Sequence, residues 1–462
     1  MKTAEAFALI TRIENQLDTS KFMFKGINTW PLVRHILWFK LISQEVKDQK
    51  DFSDYKRIWR SRLGTLAAYL HYFFSRKSDK NGAQVLFFSR PAYLQELDEE
   101  ILFDRVVDPI IDSLDGSTKF KKYYVANVSS PQKLAFEHSL IFQSYFSLAG
   151  QLTTEHKRAL VEVADISTIS LAFLTNSYEK KLKTFSRWYV AAYKELKKYH
   201  NARRIYLTSW YFPDMMGVCA AAKSLKIETV EVQHGKQGKF QAMYSGWSKI
   251  PKNGFEMMPD KFWCWGHPSC EHILEASPDR KHHTPFVGGY PWIDYYRRNK
   301  SETFDSPYLN SRVVLVTMQA PQGSNRERIP DFIINFILCN LQSDTLFIFR
   351  AHPNDSAGLA YCAKRVEVLP PGTYLIEPGK ENLYDLFQVA THHITAYSSC
   401  CYEALVFNVP TLLYGEEAST IYEEEIAKGV FTWNDSNAEG LAAWLSSADT
   451  KSIDASDKYI EN

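Results

Sequence analysis

The chain has 462 residues, a hydrophobic fraction of 45% and 54 basic residues against 53 acidic ones. Such a length exceeds one ordinary core, so two domains with appended elements are expected. A net charge of +1 excludes a nucleic-acid binder held by a globally basic surface. The seven cysteines (Cys219, Cys264, Cys270, Cys339, Cys362, Cys400 and Cys401) are odd in number and lack C-x-x-C pairing, which reads as the reduced thiols of a cytoplasmic protein. The opening MKTAEAFALITRIENQ interrupts its apolar residues with acidic ones, unlike a secretory signal. No run approaches the ~20 apolar residues that span a bilayer.

Residues 1–80 read as a helical extension. INTWPLVRHILWFKLI and YKRIWRSRLGTLAAYLHYFFSRK mix Trp, Phe and Leu with Arg and Lys. Two readings fit: helices packed on the main body with arginine stems covering apolar surface, or amphipathic helices in peripheral contact with the inner membrane.

From 81 to 300 the pattern changes to short apolar runs. QVLFFSRP, KKYYVANV, RRIYLTSW, ETVEVQHG and KFWCWG predict buried strands, and PDMMGVCAAAKSLKI predicts a helix crossing between parallel ones. The aromatic linker GGYPWIDYYRRNKSETFDSPYLNS is expected to lie against the body. From 301 to 440 the alternation restarts with RVVLVTMQ, IPDFIINFILCNL, TLFIFRAHP, TYLIEP, ENLYDLFQVA, HHITAYSS, CCYEALVFN and PTLLYG; residues 441–462 form a tail. The fold class is therefore α/β, two Rossmann-like domains facing a cleft, with a helical N-terminal extension.

Three strand ends attract chemistry. FIFRAHPNDSAG delivers Arg350, His352 and Pro353, HITAYSSCCYEAL delivers Ser398 and Ser399, and VEVQHGKQG delivers His234. Serines where a strand gives way to a helix offer hydroxyls and free amides to a phosphate, or they simply cap the helix. Arg350 shares a strand face with His352, and both are able to donate to the same anion.

The pairing of His352-Pro353 with Ser398-Ser399 resembles the nucleotide-binding signature of GT-B bacterial polysaccharide glycosyltransferases, in the flavour of capsular Kdo transferases and sialyltransferases with CMP-activated donors. SSCCYEALVFNVPTLLYGEEA is similar to their wider carboxy-terminal signature. The resemblance implies a metal-independent transferase without a bound cofactor, a nucleotide-sugar co-substrate, a polysaccharide or lipid-linked glycan acceptor, and Glu403 holding ribose hydroxyls. The paired-acid-glycine motif of the sialyltransferases is missing, and VQHGKQG looks more like the His-Gly segment of transferases that use CDP-glycerol. A polyol-phosphate transferase or a UDP-sugar 2-epimerase on the same fold is the alternative among enzymes, and a non-catalytic glycan- or nucleotide-binding assembly protein the alternative outside them.

On the acceptor side, His234 is either a general base with a near-neutral pKa or a histidine that ties a neighbouring loop. Asp214 is the next base candidate, followed by Asp104 and Glu256. Gly235, Gln237 and Trp247 are assigned to acceptor binding, with Trp210, Tyr211, Tyr244 and Tyr290 as further rings for stacking on sugars. Neither a D-x-D triad nor a spaced histidine set suggests a metal, since the pairs His282-His283 and His392-His393 point to opposite faces of a strand. The absence of a G-x-x-x-x-G-K-S/T loop and of a G-x-G-x-x-G fingerprint removes the kinase and dehydrogenase readings.

Overall fold

The computed structural model describes residues 1–42, 82–96, 101–125, 133–299, 312–319, 328–340, 344–352, 355, 357–377, 382–447 and 456–460. The second amphipathic stretch, Tyr55 to Lys77, and Pro353 lie outside the described residues.

The chain starts with a helix, Thr3–Gln16, a short antiparallel hairpin (β1, Met23–Phe24; β2, Ile27–Asn28) and a second helix, Trp30–Ile42. That second helix buries Trp30, Leu32, Val33, Ile36, Leu37 and Trp38, as expected for a helix apolar all round. Its Arg34 is wholly buried. The guanidinium pairs with Glu14, donates to the carbonyls of Ala242 and Ser245 at 2.7 Å each, and lies 4.2 Å from the Trp247 ring centroid. Of the two readings for residues 30–42, packing on the body is the one realised.

The first half is built on β3 (Val85–Ser89), β4 (Leu94–Glu96), β5 (Ile101–Asp104), β6 (Phe120–Tyr124), β7 (Lys133–Leu134), β8 (Ser139–Leu140), β9 (Arg204–Leu207), β10 (Glu228–Val232), β11 (Lys261–Cys264) and β12 (Thr284–Val287). Seven of these strands form a parallel sheet in the order β12-β11-β10-β9-β3-β6-β8. Leu86, Phe87 and Phe88 of β3 are all buried, which is why that strand reads as a continuous apolar run: helices cover both faces. The chain grows outward from β3 in one direction and then from β9 in the other, so the strand order reverses between them. A small sheet of β4, β5 and β7, which the sequence pattern did not predict, stands beside the main one.

The second half carries β13 (Arg312–Thr317), β14 (Thr345–Arg350), β15 (Tyr374–Glu377), β16 (His392–Thr395), β17 (Thr411–Tyr414) and β18 (Thr432–Asn434), parallel in the order β15-β14-β13-β16-β17-β18. Here the order reverses between β13 and β16. The helix Gly358–Val366, unforeseen in sequence, joins β14 to β15, because two parallel neighbours need a crossover. The aromatic linker supplies the helix Pro291–Asn299, whose Trp292, Ile293 and Tyr296 are buried and whose Trp292 and Tyr295 pack on Phe103 of β5. These are two Rossmann-like α/β units, the architecture of the GT-B fold.

Candidate functional site

Open parallel sheets bind ligands beyond the carboxyl ends of their strands, where the strand order reverses. In the first half that crevice opens between β3, which runs into Arg90, and β9, which runs into Ser209. Ser209 adopts φ +53°, a left-handed conformation that a non-glycine residue keeps only when its surroundings fix it. The next strand, β10, ends at His234. The carbonyl of Val232, 3.1 Å from Nδ1, can only accept, so Nδ1 carries the hydrogen. Nε2 is then an acceptor, with the Ser209 hydroxyl 3.3 Å away, and the Tyr93 hydroxyl bonds in turn to Ser209. The Tyr93 ring meets the imidazole edge to face at 5.1 Å.

The expected near-neutral pKa of His234 does not survive folding. Burial pushes it down to about 4, the Val232 carbonyl opposing and Arg105 and Arg90 reinforcing the shift. His234 is thus a neutral imidazole at physiological pH. Beneath it Glu231 is fully buried, accepts the Trp210 amide at 3.2 Å and the Tyr244 hydroxyl at 2.9 Å, and places Oε1 3.8 Å from His234 Nδ1. Burial raises that carboxyl well above its usual range, against the amide and hydroxyl it accepts.

Asp214 sits in the first turn of the helix Pro213–Ser224, accepts the Met215 amide at 2.7 Å and pairs with Arg90, whose guanidinium lies 4.4 Å from the Phe212 ring centroid. Its carboxylate is engaged in holding Arg90. Asp104 caps a turn by accepting the amides of Val106 and Val107 at 3.1 and 3.3 Å, and Glu256 accepts the Asn28 amide at 3.3 Å, so both carboxylates are engaged with backbone amides. The assignment of Trp247 to the acceptor is corrected as well. Trp247 and Trp210 are 0% exposed, lying 6.1 Å apart in the core, and neither ring has a face open to a sugar. Gln237 is buried, with Oε1 3.7 Å from the Cys264 thiol, and lines a small cavity with Lys236, Trp265, His272, Tyr402 and Tyr459. Gly235 has open space where a Cβ would stand, so a ligand is able to approach its backbone.

In the second half the reversal falls between β13 and β16, which places Ser398 and Ser399 at the crevice. Both serines are half-buried. Ser398 Oγ accepts the Cys400 amide at 3.4 Å and the Cys400 thiol at 2.9 Å, while Ser399 begins the helix Cys400–Val406 without a capping bond. Arg350 is buried and pairs with Glu377 of the adjacent strand at 3.1 Å. His352 leaves β14 partly exposed; burial lowers its pKa, Arg105 pushes the same way and Asp355 opposes. Glu403 is buried on the helix after the serines, and its pKa is raised by burial against the pull of Arg105 and Arg350.

The two crevices face each other. The loop after His234 crosses to the second half, where Lys236 Nζ donates to the Ile421 carbonyl at 2.7 Å and sits 3.3 Å from the Tyr422 ring centroid. Burial pushes its ammonium down to about 8. Arg105, just past β5, is felt by His234 and Tyr93 in one half and by Glu403, His352 and Arg350 in the other, and it has no ion pair among the described residues. Sequence reasoning missed Arg105, because LFDRVVD carries no motif and only the β4–β5 pairing brings it to the cleft. It also missed Tyr93 and Ser209, although LTSWYFP ends its strand in a serine much as VEVQHG ends in His234. Among the described residues no group of three or more His, Cys, Asp or Glu is placed to hold a metal, and no helix is long and apolar enough to cross a membrane.

No protein-family model and no curated protein matches the chain in sequence. Among solved structures it resembles a Listeria monocytogenes protein assigned as a UDP-N-acetylglucosamine 2-epimerase, with a TM-score of 0.51 and 15% identity over 82% of this chain and 93% of that one. It is similar, too, to the UDP-GlcNAc 2-epimerase of Neisseria meningitidis bound to UDP-GlcNAc, with a TM-score of 0.51 and 12% identity over 82% of this chain and 96% of that one. These likenesses establish the class of fold, the GT-B arrangement of two facing Rossmann-like units.

Proposed function

We propose that this chain is a glycosyltransferase that moves a sugar from a nucleotide-activated donor, of CMP-linked type, to a growing bacterial surface polysaccharide. One observation carries the reading: the Ser398-Ser399 pair stands at the strand-order reversal of one parallel sheet, and His234, on the strand next to the reversal of the facing sheet, bonds to Ser209 at that reversal. The nucleotide lies in the second half, its phosphate against Ser398, Ser399 and His352 and its ribose toward Glu403. The acceptor lies in the first half, near Gly235. Charge building on the leaving phosphate is met by Arg105, Arg350 and the serine hydroxyls.

A UDP-sugar 2-epimerase is the second reading, favoured by the fold shared with the Neisseria protein bound to UDP-GlcNAc. Thermal shift against CMP, CDP, UDP and GDP separates the two, since a ligand that binds only the folded state raises the melting temperature. The transferase reading expects CMP or CDP to stabilise most. A clear preference for UDP, with conversion of UDP-GlcNAc to its 2-epimer, would replace it with the epimerase reading.

A further inference from the structure

We propose that Tyr93 and Ser209 form a two-hydroxyl relay that carries the acceptor's proton to His234, with Tyr93 as the residue that touches the acceptor hydroxyl. This inference rests on the transfer reading above. Its starting point is that both ring nitrogens of His234 are already engaged. Nδ1 is tied to the Val232 carbonyl and Nε2 is covered by Ser209 Oγ at 3.3 Å. Ser209 itself is 2% exposed and fixed in place, so a sugar hydroxyl seeking Nε2 would have to displace the bond that this serine already makes. Tyr93 is partly exposed and has its hydroxyl on Ser209 Oγ.

The donors then run in one direction. Tyr93 donates to Ser209, Ser209 donates to His234 Nε2, and His234 Nδ1–H donates to Val232. In the reaction the acceptor oxygen bonds to the anomeric carbon of the donor as the bond from that carbon to the phosphate oxygen breaks. The acceptor's proton passes to Tyr93 Oη as the tyrosine proton moves to Ser209 and the serine proton moves to Nε2. Every hydroxyl is restored, the nucleotide leaves as an anion in the second half, and His234 becomes an imidazolium 3.8 Å from Glu231. The fixed left-handed backbone of Ser209 and the edge-to-face contact of Tyr93 with the imidazole hold the three groups in line.

Two measurements test the relay on the full chain. Long-range nitrogen NMR of histidine-labelled protein reports the tautomer, and a proton on His234 Nε2 at neutral pH would overturn the proposal without any substrate. Nucleotide release from CMP-sialic acid, CMP-Kdo and UDP-GlcNAc supplies kcat for wild type, Tyr93→Phe and Ser209→Gly, the glycine chosen because it accepts the positive φ. Both variants are expected to lose about 100-fold in kcat while nucleotide-induced thermal shift stays unchanged. In mixtures of H2O and D2O, the multi-proton isotope effect of the wild type should shrink in Tyr93→Phe. Near-wild-type kcat in Tyr93→Phe alongside an inactive His234→Ala would overturn the relay and put His234 on the acceptor directly. Absence of turnover by the wild type with all three donors would overturn the transfer reading beneath it.

Discussion

The two halves use the same strand-end geometry in opposite ways. In the first, the groups at the reversal and on the strand beside it are enclosed: Ser209 and Glu231 are buried, His234 is held at both ring nitrogens, and Arg90 is locked to Asp214. In the second, Ser398, Ser399 and His352 remain partly exposed, and Ser399 is not used as a cap. Chemistry that needs one fixed tautomer favours an enclosed site, because a buried network with every member bonded has a single arrangement. A ligand carrying its own charge favours open hydroxyls that it can satisfy on arrival. On the proposed reading, base and phosphate site would therefore differ in burial as well as in residue type.

The largest test of that contrast is His234→Ala, which should cut turnover by about 100- to 10,000-fold with nucleotide binding nearly intact. Asp214→Ala is its partner, and inactivity in Asp214→Ala beside full turnover in His234→Ala would transfer the role of base to the carboxylate. In the second half, replacing Ser398 and Ser399 together by Ala should weaken nucleotide binding by about 1–3 kcal/mol, read as a smaller thermal shift. Unchanged affinity with a lower melting temperature would make the serines structural.

A test that needs no ligand concerns acid stability of the enclosed half. His283 is buried, its Nε2 accepts the Phe255 amide at 2.7 Å, and burial pushes its pKa down to about 3. The unfolded chain takes up this proton as pH falls through about 6.5, whereas the folded chain does not until about 3. Stability is therefore fully present above that window and is lost within it, at about 1.4 kcal/mol per pH unit for each such histidine. Replacing His283 with Gln should flatten the acid limb of a melting-temperature profile by one proton; an unaltered slope would show that His283 is charged in the fold.

Much of the architecture was legible in the sequence, because buried parallel strands must be apolar runs and crossover helices must separate them. QVLFFSRP, ETVEVQHG and TLFIFRAHP each became the strand that their β-branched and aromatic content predicts. The small β4-β5-β7 sheet was not legible: its strands span two to four residues, too few for a period to emerge. The site divided along the same line. His234, His352 and the serines follow β10, β14 and β16, strands that ETVEVQHG, TLFIFRAHP and HHITAYSS marked in the sequence. Tyr93 and Arg105 owe their positions to the short sheet, and Trp247 was misjudged because exposure of an aromatic ring is a property of packing that one sequence does not display.

The contact of Lys236 with Ile421 and Tyr422 ties the His-Gly loop to the far half, so on the proposed reading the loop beside the acceptor would be held by the half that binds the nucleotide. Any separation of the halves would have to break this ammonium–carbonyl bond. By thermodynamic reciprocity, whatever factor the nucleotide adds to acceptor affinity, the acceptor returns to the nucleotide. Lys236→Met would remove this one tether and leave each crevice its own ligand groups, so a fall in the coupling between the two affinities would measure what the lysine contributes.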